Sequence, residues 1–160
     1  MRNLLVPASI LLLLAGGCGY TFDRLAPAGV RRIRVPLFEN DTTRREMGFA
    51  LTEAVVRELR RAGYRIADAG GGDAVLEGRI TDVSETVLSE DPSGAQAQGR
   101  LAVTVAYRLV DARGRALASG RVSEGGEVVY ARGESRPAGL QRAIDELARA
   151  VARGLEAPPE

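Results

Sequence analysis

The sequence predicts an α+β domain: a two-layer sandwich with two helices on one face of a mixed four- to five-stranded sheet. Two observations carry this. Residues 30–38, 74–88, 101–109 and 115–129 alternate apolar with polar side chains, the mark of half-buried strands. Residues 47–62 and 135–155 instead repeat apolar side chains every three to four positions, the mark of helices with one buried stripe. With a short strand at residues 64–67, the order is β-α-β-β-β-β-α.

In "VRRIRVPLF" (residues 30–38), Ile33, Val35 and Leu37 alternate with Arg32 and Arg34. Pro36 has no ladder donor, so the strand lies at an edge or ends there. Thr43 and Glu46 have the spacing of a capping box, in which hydroxyl and carboxylate each satisfy an orphan backbone N–H. Met47, Ala50, Leu51, Ala54, Val55, Leu59 and Ala62 follow at helical spacing, and Gly63 is the C-terminal stop. The strand before this helix and the strand after it are expected to lie parallel through a right-handed crossover.

"DAGGGD" (residues 68–73) is a flexible turn; no Gly-Lys-Ser/Thr follows its glycines, which argues against a phosphate cradle. The strand at 74–88 puts Leu76, Gly78 and Ile80 on one face, with a phase slip near Asp82 and Val83 that predicts a bulge. "SEDPSGAQAQG" (residues 89–99) reads as a polar hairpin loop. Next, Leu101, Val103, Val105, Tyr107 and Leu109 face one way, and Ala102, Thr104, Ala106 and Arg108 the other. "DARG" (residues 111–114) turns the chain into the last strand, which Gly120, Gly125 and Gly126 loosen. Ser135 is the expected N-cap of the closing helix, with Pro137 in the first turn, where its missing N–H costs little. Leu140, Ile144, Leu147, Val151 and Leu155 form its stripe, flanked by Ala143 and Ala148. Asp145 and Arg149 are spaced as a weak surface pair. The mixed charges of this helix favour packing on the sheet over lying on a membrane. Both helices are expected on one sheet face, leaving the other for water or a partner.

The amino terminus has its own pattern. Arg2 precedes an apolar run at residues 4–14, and Ala15, Gly16 and Gly17 lead into Cys18, the one cysteine of the chain. This is the layout of a secretory signal peptide. The competing reading, a membrane anchor or buried hairpin strand, meets a run well short of the roughly 20 residues that span a bilayer. A lone cysteine in an exported protein pairs with another chain, stays free or is modified. The segment Leu14-Ala15-Gly16-Gly17-Cys18 resembles a bacterial lipobox, with Ala15 where Leu is usual and Leu14 one step further back. The resemblance implies cleavage before Cys18 and palmitate-type acyl chains on it, and two or more such chains hold a protein stably on a membrane. Gly19 stands where an Asp retains such lipoproteins in the inner membrane, which implies the periplasmic side of an outer membrane. The expected divisions are a signal peptide at 1–17, a lipidated tether at 18–29, one domain at 30–156 and a tail at 157–160.

Composition points away from several functions. The chain carries 22 basic and 21 acidic residues, so it lacks the basic excess of a nucleic-acid binder. Every basic residue is Arg, a bias that a GC-rich genome explains as well as function does. Histidine and lysine are absent, and no nucleophile elbow or metal-ligand spacing occurs. Carboxylate pairs such as Glu90–Asp91 and Asp145–Glu146 read as solvated surface charge. The reading is a binding or structural protein with no enzymatic activity and no cofactor.

Cys18-Gly19-Tyr20, "IRVPLFEN" (33–40), an amphipathic helix, "DAVLEGRI" (73–80), "LAVTVAYRLVD" (101–111) and a closing amphipathic helix together resemble the LptE family of lipopolysaccharide-assembly lipoproteins. The resemblance covers essentially the whole chain from Cys18 onward. The "VPLFEN" and "DAVLEG" stretches also resemble other periplasmic lipoproteins, including the curli-secretion lipoprotein and the outer-membrane activators of penicillin-binding proteins. LptE proteins plug the LptD β-barrel, assist its assembly and bind lipopolysaccharide, so the resemblance implies an LptD-type barrel and lipopolysaccharide as partners. The alternative is a periplasmic regulator or secretion-assembly factor. The short tether keeps the domain against the membrane and favours the plug. Lipopolysaccharide phosphates suit the planar, bidentate guanidinium. Arg100, after the long hairpin loop, and Arg132 and Arg136, between the last strand and the closing helix, are the candidate contacts; the competing reading is three solvated arginines.

Overall fold

In the computed structural model, residues 29–130 and 135–156 are described. The elements run β1 (Arg32–Arg34), β2 (Glu39–Asn40), α1 (Met47–Arg61), β3 (Arg65–Ile66), β4 (Ala74–Glu90), β5 (Gln96–Asp111), β6 (Ala116–Val129) and α2 (Arg136–Glu156). The sheet order is β3-β1-β4-β5-β6, and β2 also pairs with β4. β1 is parallel to both β3 and β4, whereas β4, β5 and β6 form an antiparallel meander. The α+β class and the element order are those the sequence predicts.

Pro36 accounts for the split first strand. Without an N–H at that position the ladder stops after Arg34, and pairing with β4 resumes only at Glu39. The detour turns Phe38 into the core, where its ring occupies the space that a Cβ on Gly78 would need. Thr52 fixes the same corner: its hydroxyl accepts the N–H of Phe38 at 2.9 Å and donates to the carbonyl of Gly48 at 2.7 Å.

The expected capping box does not form. Helix α1 begins at Met47 with Glu46 in its N-cap position and no side-chain cap bond. Asn40 and Thr42 organise the turn instead: the Asn40 side chain accepts from the N–H and hydroxyl of Thr42 and donates to the carbonyl of Arg44. The other end of α1 is as expected. Gly63 adopts φ +95°, its N–H reaches the carbonyl of Arg60, and the N–H of Tyr64 reaches that of Leu59. These are the two bonds of a Schellman cap, and Leu59 and Tyr64 are both buried beside it.

The bulge in β4 falls one residue earlier than expected, at Thr81, between the pairs Ile80↔Val105 and Asp82↔Thr104. The polar stretch after β4 is also largely strand. Pairing continues to Glu90↔Gln96, so the loop shrinks to residues 91–95. Backbone ladders need no apolar alternation, which is why the polar residues concealed them. Asp91 closes this turn and Asp111 the next with one chemistry. In each, the carboxylate accepts the N–H groups two and four residues on (2.8 and 3.0 Å at Asp91; 2.9 Å for both at Asp111), and a glycine with positive φ follows.

Helices α1 and α2 share one sheet face, and a single apolar core lies between the layers. Ile33, Leu51, Val55, Leu76, Ile80, Val105, Leu109, Leu147 and Val151 are all fully buried. Two glycines let α2 approach the sheet closely, one against main chain and one against a side chain. A Cβ on Gly126 would collide with the main-chain oxygen of Gly139, and one on Gly154 with the hydroxyl of Tyr107. The expected Asp145–Arg149 pair is replaced. Asp145 reaches Arg57 of α1 at 3.4 Å, and Arg149 turns to Glu146 at 2.8 Å, so Asp145 links the two helices.

Candidate functional site

The β4–β5 hairpin brings Arg100 and Arg136 to one end of the sheet. Beyond the Thr81 bulge, Glu85 opposes Leu101 and so lies on the helix side. Its carboxylate accepts from Arg136 Nε at 2.8 Å and from the Tyr130 hydroxyl at 3.2 Å. The Arg136 guanidinium also sits 5.8 Å from the centre of the Tyr130 ring, within cation–π range. The bond from Arg136, and secondarily that from Tyr130, holds the Glu85 carboxyl below its usual range, while Glu85 holds Arg136 above its own.

Arg100 is exposed and opposes Thr86 and Glu127, alternating with buried Leu101. It therefore lies on the open sheet face. The fold brings Arg100 and Arg136 to the same end but to opposite sides of the sheet, and Arg136 is already engaged. Arg132 and Cys18 lie outside the described residues. Sequence reasoning missed Val87 and Leu88, which are 51% and 48% exposed near the hairpin end. Two adjacent apolar residues in an otherwise polar hairpin end are the signal that could have found them.

Two grooves open on the described surface, one beside Arg136 and one farther along the sheet. One, of about 330 Å³, lies between the first turns of the helices and is lined by Arg44, Met47, Ala50, Arg136 and Leu140. Another, of about 510 Å³, opens on the bare sheet face between Leu37, Glu39, Glu77, Arg79 and Arg108. Its arginines are paired, Arg108 with Glu77 at 2.9 Å and Arg79 with Glu39, so this larger groove is not where cations are free for an anion. Among the described residues, no group of three or more Asp, Glu, His or Cys is placed to hold a metal, and no helix is long and apolar enough to cross a membrane. The arrangement offers binding surfaces of guanidinium, small polar and exposed apolar groups.

Among the described residues, four carboxylates are held below their ordinary values. Asp73 accepts the N–H groups of Arg31 and Arg32 at 3.0 and 2.8 Å, and these bonds hold it below its ordinary value. The Ser93 hydroxyl and the turn amides do the same for Asp91, the Arg115 and Arg113 amides for Asp111, and Arg136 for Glu85. Each group titrates lower when folded than when unfolded. Its stabilisation is therefore complete above about pH 4 and is lost as the pH falls below that. The denaturation midpoint should be level from about pH 7 to 5 and decline below about pH 4, with a shallower decline in Asp111→Asn. A midpoint that rises on acidification would contradict these assignments.

Solved structures share this fold. A PelC dodecamer from Paraburkholderia phytofirmans is 22% identical, covers 85% of this chain and 93% of its own, and has a TM-score of 0.52. Lipoprotein GNA1162 from Neisseria meningitidis is 18% identical over 76% of this chain and 98% of its own, with a TM-score of 0.51. Uncharacterized lipoprotein B from Nitrosomonas europaea is 16% identical over 80% and 83%, with a TM-score of 0.56. No curated protein sequence matches. The architecture is thus one found in bacterial lipoproteins. A family model narrows it further. Residues 30–155 match LptE, described as lipopolysaccharide-assembly, and the chain belongs to that family.

Proposed function

We propose that this protein is a lipid-anchored, non-enzymatic subunit of lipopolysaccharide assembly at the outer membrane. Acyl chains on Cys18 hold it on the periplasmic side, and the domain plugs and supports an LptD-type β-barrel, where it contacts lipopolysaccharide. The family match over residues 30–155 carries this reading. Residues 1–17 are removed on export, and the tether at 18–29 keeps the domain beside the membrane. Arg100, Arg132 and Arg136 are the proposed phosphate contacts. The exposed position of Arg100 supports its part, whereas Arg136 must exchange Glu85 for a phosphate oxygen.

Co-purification from detergent-solubilised outer membranes should recover a β-barrel partner; recovery of a peptidoglycan synthase in its place would overturn the reading. In a lipopolysaccharide titration, the change of all three arginines to Ala should weaken binding about tenfold or more. Binding by that variant equal to wild type, together with weaker binding by an Arg57→Ala control, would put the contact elsewhere. Cys18→Ala should abolish acylation, because cleavage and lipid attachment both need the thiol. Metabolic labelling with a fatty-acid analogue reads this directly, and label retained on the variant would exclude lipidation at Cys18.

A further inference from the structure

Arg136 is already occupied by an anion that the chain itself supplies. Its Nε donates to the Glu85 carboxylate at 2.8 Å, and the Tyr130 hydroxyl donates to the same carboxylate at 3.2 Å. The Glu85 side chain is 25% exposed and that of Arg136 is 56% exposed, so the carboxylate is the sheltered partner and the guanidinium the one free to swing away. Carboxylate and phosphate oxygens are the same class of acceptor for a guanidinium. Any anion that binds Arg136 must therefore displace Glu85. A group held in place by the fold competes at an effective concentration of roughly millimolar or above. A phosphate with nothing else to gain loses that contest.

What else a ligand could gain lies next to the same residue. Arg136 lines the groove between the first turns of the helices. Met47 and Ile144 are buried at its floor, and Ala50 and Leu140 are its half-buried walls. Arg44 also lines it and makes no ion pair among the described residues; the carboxylate there, Glu46, is exposed. The volume of about 330 Å³ is at the low end for a ligand site, room for one apolar chain and not for a whole lipid. Each methylene buried in such a slot strengthens binding about fourfold. A few of them offset the competition from Glu85.

We infer that Glu85 is an internal stand-in for a ligand phosphate and that the groove between α1 and α2 seats one acyl chain of the same ligand. The site then admits a phosphate joined to an acyl chain, as in lipopolysaccharide, and rejects a phosphate alone. This rests on the lipopolysaccharide reading above and names the part of the ligand that is held and the residue that sets the threshold.

The test uses the full chain purified in one maltoside detergent throughout. Its two ligands are lipopolysaccharide and the phosphorylated oligosaccharide left when alkali strips the acyl chains. The unsubstituted chain should bind the intact form about a hundredfold more tightly than the stripped one. Glu85→Gln leaves a weaker, neutral acceptor and should strengthen binding of both about tenfold. In an Arg136→Ala background that gain should vanish, because no guanidinium is left to release. Ala50→Phe fills the groove and should weaken lipopolysaccharide binding about tenfold. Added to Glu85→Gln, it should leave binding of the stripped oligosaccharide unchanged, which separates a filled groove from a lost fold. Three outcomes would each overturn the inference and leave the assembly role standing: lipopolysaccharide binding that needs Arg136 but gains nothing from Glu85→Gln, a gain that survives Arg136→Ala, or displacement of lipopolysaccharide by equimolar phosphatidylglycerol. Failure of lipopolysaccharide to bind either the unsubstituted chain or Glu85→Gln would overturn the reading beneath it as well.

Discussion

Gly126→Ala is expected to destabilise the domain by about 3 kcal/mol, at the upper end of what one added methyl does in a packed core. The reason is what the methyl would meet. Its nearest neighbour is the main-chain oxygen of Gly139, and the next are a main-chain carbon of Gly139 and the main-chain nitrogen of Ala143. A side chain could turn away, but a helix backbone retreats only by lifting the whole of α2 from the sheet. Equilibrium unfolding in denaturant measures the loss, with Ser123→Ala on the exposed face as control. A loss no larger than the control's would mean that α2 does not approach β6 as closely as described.

Leu51→Ala should cost on the order of 2–5 kcal/mol, the range for emptying a leucine site that cannot collapse. Leu51 is fully buried in the layer between α1 and the sheet, which also holds Val55, Leu76 and Val105. Removing its branched end forfeits apolar burial and leaves a void between rigid elements. Glu53, two residues on, points to solvent, and Glu53→Ala should change little. The two denaturation midpoints compared side by side decide the matter. A larger shift for Glu53→Ala would mean that the buried face of α1 is misassigned.

The elements that could be read from sequence are those whose burial imposes a period. Helices α1 and α2 and the strand from Leu101 to Leu109 each bury one face, so their apolar residues announce both type and orientation. Hydrogen bonding between polar groups leaves no such trace. The ladder pairs Ser89↔Gln98 and Glu90↔Gln96 are made by backbone atoms beneath polar side chains, and the stretch looked like loop. The cap of α1 failed for a related reason. Thr43 and Glu46 have the right spacing, but Asn40 and Thr42, with three mutual and carbonyl bonds, take the turn into another geometry. At the candidate site, the approach of Arg100 and Arg136 to one end followed from topology. Arg100 takes the open face because it alternates with buried Leu101. The hold on Arg136 could not be read, because the Thr81 bulge upstream is what turns Glu85 to the helix side to meet it.

The two aspartate-closed turns make the meander modular. Each bond that closes such a turn joins residues no more than four apart, so register is set locally at each hairpin end. Strand faces repeat every two residues. The β4–β5 hairpin can therefore gain or lose two residues from each strand behind Asp91 with every face preserved, while Leu101 and Val103 keep their places under the helices. Its reach past the helix layer becomes an adjustable length, and relatives facing partners of different depth could alter it without redesigning the core.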